Sequence, residues 1–196
     1  MKRNKVCYIA IVLSLMVLSC KTTVVPATVN NSFYIRKSND YNSKEIYDSN
    51  NKLIYILNKS DARIDWKIKI VKNYLLYLSA KDELVVMDLA EKEKVLVIED
   101  VGDYAVSDDL KYICLGRKLK GSKYTTTPAL YDFSKKKFIS LKKMDYSFLE
   151  SKIGISTDIR FNSDDNGFFV NYQWDYSDPD YIFYISLNKF ELSRIK

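Results

Sequence analysis

Three sets of residues in this chain carry side chains capable of chemistry: two Ser-Asp-Asp triplets, one aromatic and acidic segment, and three cysteines. Ser107-Asp108-Asp109 and Ser163-Asp164-Asp165 each place two carboxylates side by side, a pattern able to bind a cation or to divide acid and base duties. Their recurrence in similar surroundings favours a structural role, because Ser and Asp side chains accept hydrogen bonds from backbone amides in tight turns. The segment from Asn171 to Tyr181 gathers four aromatic rings among three carboxylates. Rigid rings of this kind anchor protein interfaces, which makes Tyr172, Trp174, Asp175, Tyr176, Asp178 and Asp180 the candidate partner-binding residues. Strand packing, calcium or a sugar are the competing roles, and the spacing is not that of an EF-hand loop.

The chain has no histidine. That removes the usual general base of Ser and Cys hydrolases and the commonest zinc ligand. We therefore assign no catalytic residue, metal site or cofactor from the sequence. The enzyme class left open is a glycosidase working through two carboxylates about 5 to 10 Å apart, with Asp175, Asp178 and the Ser-Asp-Asp triplets as its candidates. Cys7 lies in the leading apolar run, so Cys114 has no partner for a disulfide once Cys20 is otherwise engaged. Its setting, Tyr112-Ile113-Cys114-Leu115, marks it as a small buried hydrophobe.

Cys20 is the residue best supported for chemistry. Lys2, Arg3 and Lys5 precede an apolar run from Val6 to Leu18, well short of the roughly twenty apolar residues that span a bilayer. A cleaved export signal fits these parts. Val17-Leu18-Ser19-Cys20 resembles the lipobox of bacterial lipoproteins, with Val17 where Leu is usual. The resemblance covers residues 1 to 20 and implies that the Cys20 sulfur receives a diacylglycerol, that cleavage follows Ser19, and that the new amino terminus is acylated. Each buried methylene contributes about 0.8 kcal/mol, and one chain alone binds only marginally, so two or three chains would hold the protein at a membrane. Lys21 stands where Asp would resemble an inner-membrane retention signal, which favours the outer membrane of the bacterial envelope.

Of 196 residues, 31 are basic and 25 acidic, and the three basic residues of the lead account for half of the +6 net charge. The remaining excess is dispersed and gives no concentrated basic face, so nucleic acid is not an expected partner. Residues 1–19 are the expected signal, residues 20–32 a polar tether beginning at lipidated Cys20, and residues 33–196 one folded domain.

Beyond Phe33, short runs rich in Ile, Val, Tyr, Leu and Phe alternate with Asp, Asn, Lys and Gly at intervals of about ten residues, the signature of an all-β domain. Helical spacing is confined to Lys142–Lys152, where Met144, Phe148 and Leu149 share a face, and an irregular connector suits that segment equally. Four hairpins share one pattern: EIYDSNNKLIYIL, ELVVMDLAEKEKVLVI, ALYDFSKKKFISL and IFYISLNKFEL. Asp48, Asp88, Asp132 and Ser186 hold matching places at intervals of 40, 44 and 54 residues, a period suited to propeller blades. Thr125-Thr126-Thr127-Pro128 reads as a loop before a blade strand.

Alternation of a Ser-Asp-Asp hairpin with a strand-Asp-turn-strand hairpin is similar to the WD-repeat and TolB-like β-propellers, from about Leu53 to Lys196. The resemblance implies a propeller-like array of three to four antiparallel blades, open or incomplete, with a β-sandwich as the alternative. Blades are expected at Ile64–Asp100, Val101–Leu141 and Ile155–Ile195, with a fourth half visible at Phe33–Leu57. The expected role is a lipid-anchored envelope module that presents its surface to a protein partner without catalysis. A shortened propeller relative with no independent activity is the other alternative.

Overall fold

The computed structural model describes residues 32–38, 41–65, 67–119, 126–142, 156–164, 166–173 and 181–195. These belong to one compact unit, Asn31–Lys196. The unit is all-β. Its strands form four antiparallel sheets in chain order. The first holds β1 (Phe33–Lys37), β2 (Ser43–Asp48) and β3 (Leu53–Asn58). The second holds β4 (Ile68–Val71), β5 (Tyr74–Leu78), β6 (Leu84–Asp88) and β7 (Glu93–Ile98). The third holds β8 (Val101–Val106), β9 (Tyr112–Lys118), β10 (Thr126–Asp132) and β11 (Lys137–Ile139), and the fourth β12 (Ser156–Asn162), β13 (Gly167–Gln173), β14 (Tyr181–Ser186) and β15 (Glu191–Arg194). Each strand pairs with its sequence neighbour, so every sheet is an up-and-down meander.

The central strands are apolar on both faces, and the period-two geometry of a strand sends alternate residues to opposite sheets. Leu75 and Tyr77 face the first sheet with Ile46, Leu57, Ala62, Ile64, Val85 and Met87. Leu76 and Leu78 face the third, where Leu84, Val86, Val101, Tyr104, Ile113 and Leu115 complete a second core. Cys114 and Leu130 face the fourth, against Ile159, Phe168, Val170, Phe183 and Ile185. Three cores thus lie between four successive sheets, and each fully buried Leu, Ile or Phe contributes about 1.5–3 kcal/mol. This serial stacking is the propeller-like arrangement and replaces the β-sandwich alternative, in which one core would separate two sheets. Cys114 is fully buried as a hydrophobe, and burial pushes its thiol pKa well up.

The repeated turns owe their shape to the repeated Asp. Asp48 Oδ1 accepts from the Asn50 and Lys52 amides, each at 2.9 Å. Asp88 Oδ1 accepts from the Ala90 amide at 2.9 Å, and Asp132 Oδ1 accepts from the Lys135 amide at 2.9 Å and the Ser134 hydroxyl at 2.6 Å. Each of these turns, and the fourth after Ser186, ends on a left-handed residue: Asn51 (φ 60°), Lys92 (φ 58°), Lys136 (φ 51°) and Phe190 (φ 50°). With five glycines in the chain, non-glycine residues carry this conformation at a local cost that the flanking ladders offset.

One expectation fails locally. Thr126 to Pro128 form the start of β10 rather than a loop, with Pro128 opposite Gly116 on β9. The proline is tolerated because β11 pairs only with Leu130, Tyr131 and Asp132, so no ladder hydrogen bond is required of it on that side.

Candidate functional site

The most developed site lies where the first strands of the second, third and fourth sheets converge. A cleft of about 330 Å³ is lined there by Lys67, Lys69, Tyr104, Asp108, Arg160 and Phe161, among others. Lys67 and Arg160 link this cleft to an ion cluster that joins three sheets. Lys67 Nζ donates to Asp103 Oδ2 at 3.0 Å, to Asp158 Oδ1 at 3.0 Å and to the Ile159 carbonyl at 2.8 Å. Asp103 is 1 % exposed, and its Oδ2 also accepts the Ile159 amide at 2.8 Å. Arg160 Nε donates to Asp158 Oδ2 at 2.6 Å. The Tyr104 hydroxyl lies 2.8 Å from the Leu76 carbonyl and 3.0 Å from that of Lys67, which fixes the backbone that carries the lysine.

Burial raises the Asp103 carboxyl pKa, with the charge and hydrogen bond of Lys67 opposing it. Burial also pushes Asp158 up, but the hydrogen bonds and charges of Lys67 and Arg160 outweigh it and leave that carboxyl below its ordinary value. Each cation is therefore tied to a carboxylate. At the mouth, Lys69 Nζ lies 3.8 Å from Asp108, and Arg160 remains largely exposed. Such a surface suits docking by mixed charge complementarity around the half-buried Phe161.

The structure assigns the first Ser-Asp-Asp triplet to turn formation. Asp109 Oδ1 accepts the Ser107 hydroxyl at 2.6 Å and the Lys111 amide at 2.9 Å, and Ser107 Oγ accepts the Tyr112 amide at 3.0 Å. In the second triplet the Asn166 amide donates to the Ser163 carbonyl at 3.2 Å, and Asp165 lies outside the described residues. Both turns close on a left-handed residue, Leu110 and Asn166.

Of the candidate partner-binding residues, Tyr172 is corrected. It is fully buried, with its ring edge-on to Phe183 at 5.6 Å between centroids. Strand alternation puts it on the inward face of β13 with Phe168 and Val170, so it packs the core and presents nothing to a partner. Trp174, Asp175, Tyr176, Asp178 and Asp180 lie outside the described residues, as do Cys20 and the helix candidate beyond Lys142. Among the described residues, no group of three or more His, Cys, Asp or Glu side chains could hold a metal ion, and no helix is long and apolar enough to cross a membrane.

Sequence reasoning missed the Lys67 cluster altogether. A single lysine beside Trp66 carries no local signal, and its partners lie 36 and 91 residues away.

No protein-family model matches the chain, and a search of curated proteins gives no match. Solved structures do match. Dihydro-heme d1 dehydrogenase NirN in complex with DHE superposes with a TM-score of 0.58 at 16% identity, over 85% of this chain and 35% of that chain. The N-terminal domain of Nup159 gives 0.53 at 14% identity, over 78% of this chain and 42% of that one. A complex of S. cerevisiae Dbp5 bound to Nup159 gives 0.52 at 12% identity, over 78% and 42%. NirN and Nup159 are β-propeller folds, so the likeness is one of fold, and this chain is a propeller-like array. The chain spans well under half the length of each of these structures.

Proposed function

We propose that this protein is a lipid-anchored module of the bacterial envelope that holds a protein partner against its propeller-like domain, without catalysis of its own. The observation that carries the reading is the junction of two features: Val17-Leu18-Ser19-Cys20 closing a basic and apolar lead, and a stack of sheets that follows it after a polar stretch. Acyl chains on Cys20 would fix the domain at the membrane, with the outer membrane favoured by Lys21. Support for a protein partner comes from the fold, whose Nup159 relative is described as bound to Dbp5, and from the mixed-charge cleft around Lys69, Asp108 and Arg160.

The test pairs chemistry with capture. Cys20→Ser should abolish metabolic labelling by palmitate and retain the leading segment, which raises the polypeptide mass by that of the uncleaved lead. Tagged parent protein purified from detergent-solubilised membranes should recover a partner that Lys69→Glu plus Arg160→Glu loses. Unchanged polypeptide mass and palmitate labelling of the Cys20→Ser protein would sink the anchored reading.

A further inference from the structure

We propose that the cleft at β4, β8 and β12 is a receptor for a carboxylate that a partner protein carries beside an apolar side chain, with Arg160 and Lys69 as the binding cations. The inference rests on the partner-binding reading above and names the chemistry that the cleft selects. Its lining is cationic and apolar. Lys67, Lys69 and Arg160 stand there against one carboxylate, that of Asp108, while Ile68 and Phe161, both half-buried, supply apolar wall.

The three cations are not equivalent. An ammonium group has three protons, and Lys67 spends them on Asp103 Oδ2, Asp158 Oδ1 and the Ile159 carbonyl, at 2.8 to 3.0 Å. It is a strut. What it holds is Asp158, whose other oxygen accepts Arg160 Nε at 2.6 Å. A guanidinium carries five N–H donors in a rigid fork, so a carboxylate on Nε sets the plane of the group and leaves its terminal nitrogens for a second, bidentate carboxylate. The Arg160 side chain is 79 % exposed, so the succession Asp103, Lys67, Asp158 orients it without burying it. Lys69 is held loosely by comparison. Its Nζ lies 3.5 Å from the Val106 carbonyl and 3.8 Å from Asp108 Oδ1, both longer than a normal hydrogen bond.

Asp108 shows what the cleft recognises. Within its triplet Asp109 accepts the Ser107 hydroxyl and the Lys111 amide and so holds the turn. Asp108 is 69 % exposed, and its ion pair among the described residues is with Lys69. It is an internal carboxylate placed loosely on a cation of the cleft. A partner's carboxylate competes for the same lysine, with Arg160 as a second anchor and Ile68 and Phe161 as the surface for the apolar side chain beside it. The two carboxylates therefore act in opposite senses: Asp158 orients a binding cation, whereas Asp108 occupies one.

Isothermal titration calorimetry on the full-length protein in detergent tests the receptor with two synthetic peptides. One is Gly-Phe-Asp-Phe-Gly with an amidated end, the other Gly-Gly-Phe-Asn-Phe with a free terminal carboxylate. At least one is expected to bind, and which one does assigns the carboxylate to a side chain or to a chain end. Lys69→Glu with Arg160→Glu should weaken binding about tenfold or more. Asp108→Asn should strengthen it about threefold, and Asp158→Asn should weaken it about threefold or more. Loss of negative charge alone would strengthen both, so the opposed signs report that Asp158 positions Arg160. Lys69 and Asp108 are exposed, and their variants keep the test should Asp158→Asn fail to fold. Failure of both peptides to bind overturns the receptor. So does binding that survives Lys69→Glu with Arg160→Glu, that does not strengthen in Asp108→Asn, or that strengthens in a folded Asp158→Asn protein. Displacement of a bound peptide by inorganic phosphate at equal concentration overturns the assignment to a protein carboxylate. A cellular partner that is lost with Lys69→Glu plus Arg160→Glu when neither peptide binds overturns the carboxylate and leaves the partner-binding reading standing.

Discussion

Between the second and third sheets, strands from both sides interlock: Leu76, Leu78, Leu84 and Val86 meet Val101, Tyr104, Ile113 and Leu115, all fully or nearly fully buried. Between the first and second sheets the same architecture is built from fewer strands among the described residues, and Phe33, Ile35, Ile68 and Ile70 remain only partly buried around a core of Ile46, Leu57 and Leu75. The difference teaches that in this array burial comes from neighbours rather than from any one sheet. A strand flanked on both faces is stabilised as a core, whereas β1 and β4 keep part of their apolar surface exposed among the described residues.

The sharpest way to break this comparison is to truncate one side chain in each region. Leu76→Ala should cost about 3 to 4 kcal/mol, the transfer loss plus a cavity that rigid surroundings cannot close. Ile35→Ala should cost less, about 1 to 2 kcal/mol, since its side chain is only partly buried and opens no closed cavity. Urea melts of the two variants check this, and equal losses would erase the distinction drawn between the two interfaces.

Next in size is the ion cluster. Lys67→Met strands the buried Asp103 carboxylate and should cost about 3 kcal/mol, the low end for a broken buried pair because Lys67 itself keeps some contact with water. The double change Lys67→Met with Asp103→Leu should recover most of that loss, as a double-mutant cycle would show. The sign of the pH dependence separates the two carboxylates. Burial raises Asp103, so its contribution is intact at acid pH and is lost as pH rises through its folded pKa. Chemical melts from neutral to mildly acid pH should therefore show the gap between Lys67→Met and the parent narrowing as pH falls.

Three other carboxyls run the opposite way. For Asp109, Asp132 and Asp158, burial acts to raise the pKa. Hydrogen bonds outweigh it: from Ser107 and Lys111 to Asp109, from Ser134 and Lys135 to Asp132, and from Lys67 and Arg160 to Asp158. The net pKa of each is lowered, so their stabilisation is present above the ordinary carboxylate pKa of about 4 and disappears as pH falls through their folded values. Melting temperature should drop in that acid window, and Asp132→Asn should flatten the drop.

The smallest expected effect concerns the turns. Lys136 adopts φ 51° in an exposed hairpin. Lys136→Gly should stabilise by up to about 1 kcal/mol, or about 2 to 4 °C in melting temperature for a domain of this size. A decrease would show that the lysine side chain contributes more than its backbone conformation costs.

Much of the array was legible because its causes are local. Alternating apolar residues, an Asp before three of the four outer turns and the spacing of Asp48, Asp88 and Asp132 specify strands, turns and repeat without reference to anything distant. The counted blades Ile64–Asp100, Val101–Leu141 and Ile155–Ile195 hold the second, third and fourth sheets, and the half-visible blade holds the first. The site was less legible. Tyr172 reads as part of an aromatic segment with Trp174 and Tyr176, yet its strand parity turns it inward. Pro128 reads as a loop breaker, yet the shortness of β11 lets it stand in a strand.

By itself the sequence determined the all-β character, the hairpin repeat and the turn chemistry, since hydrogen bonds from the Lys111 amide to Asp109 or from the Lys135 amide to Asp132 form within a few residues. Only the tertiary structure decided which face of each strand is covered and that Lys67 meets Asp103 and Asp158 across 36 and 91 residues. The physical reason is that side-chain alternation is a property of one strand, whereas burial and charge pairing depend on which other strands arrive beside it.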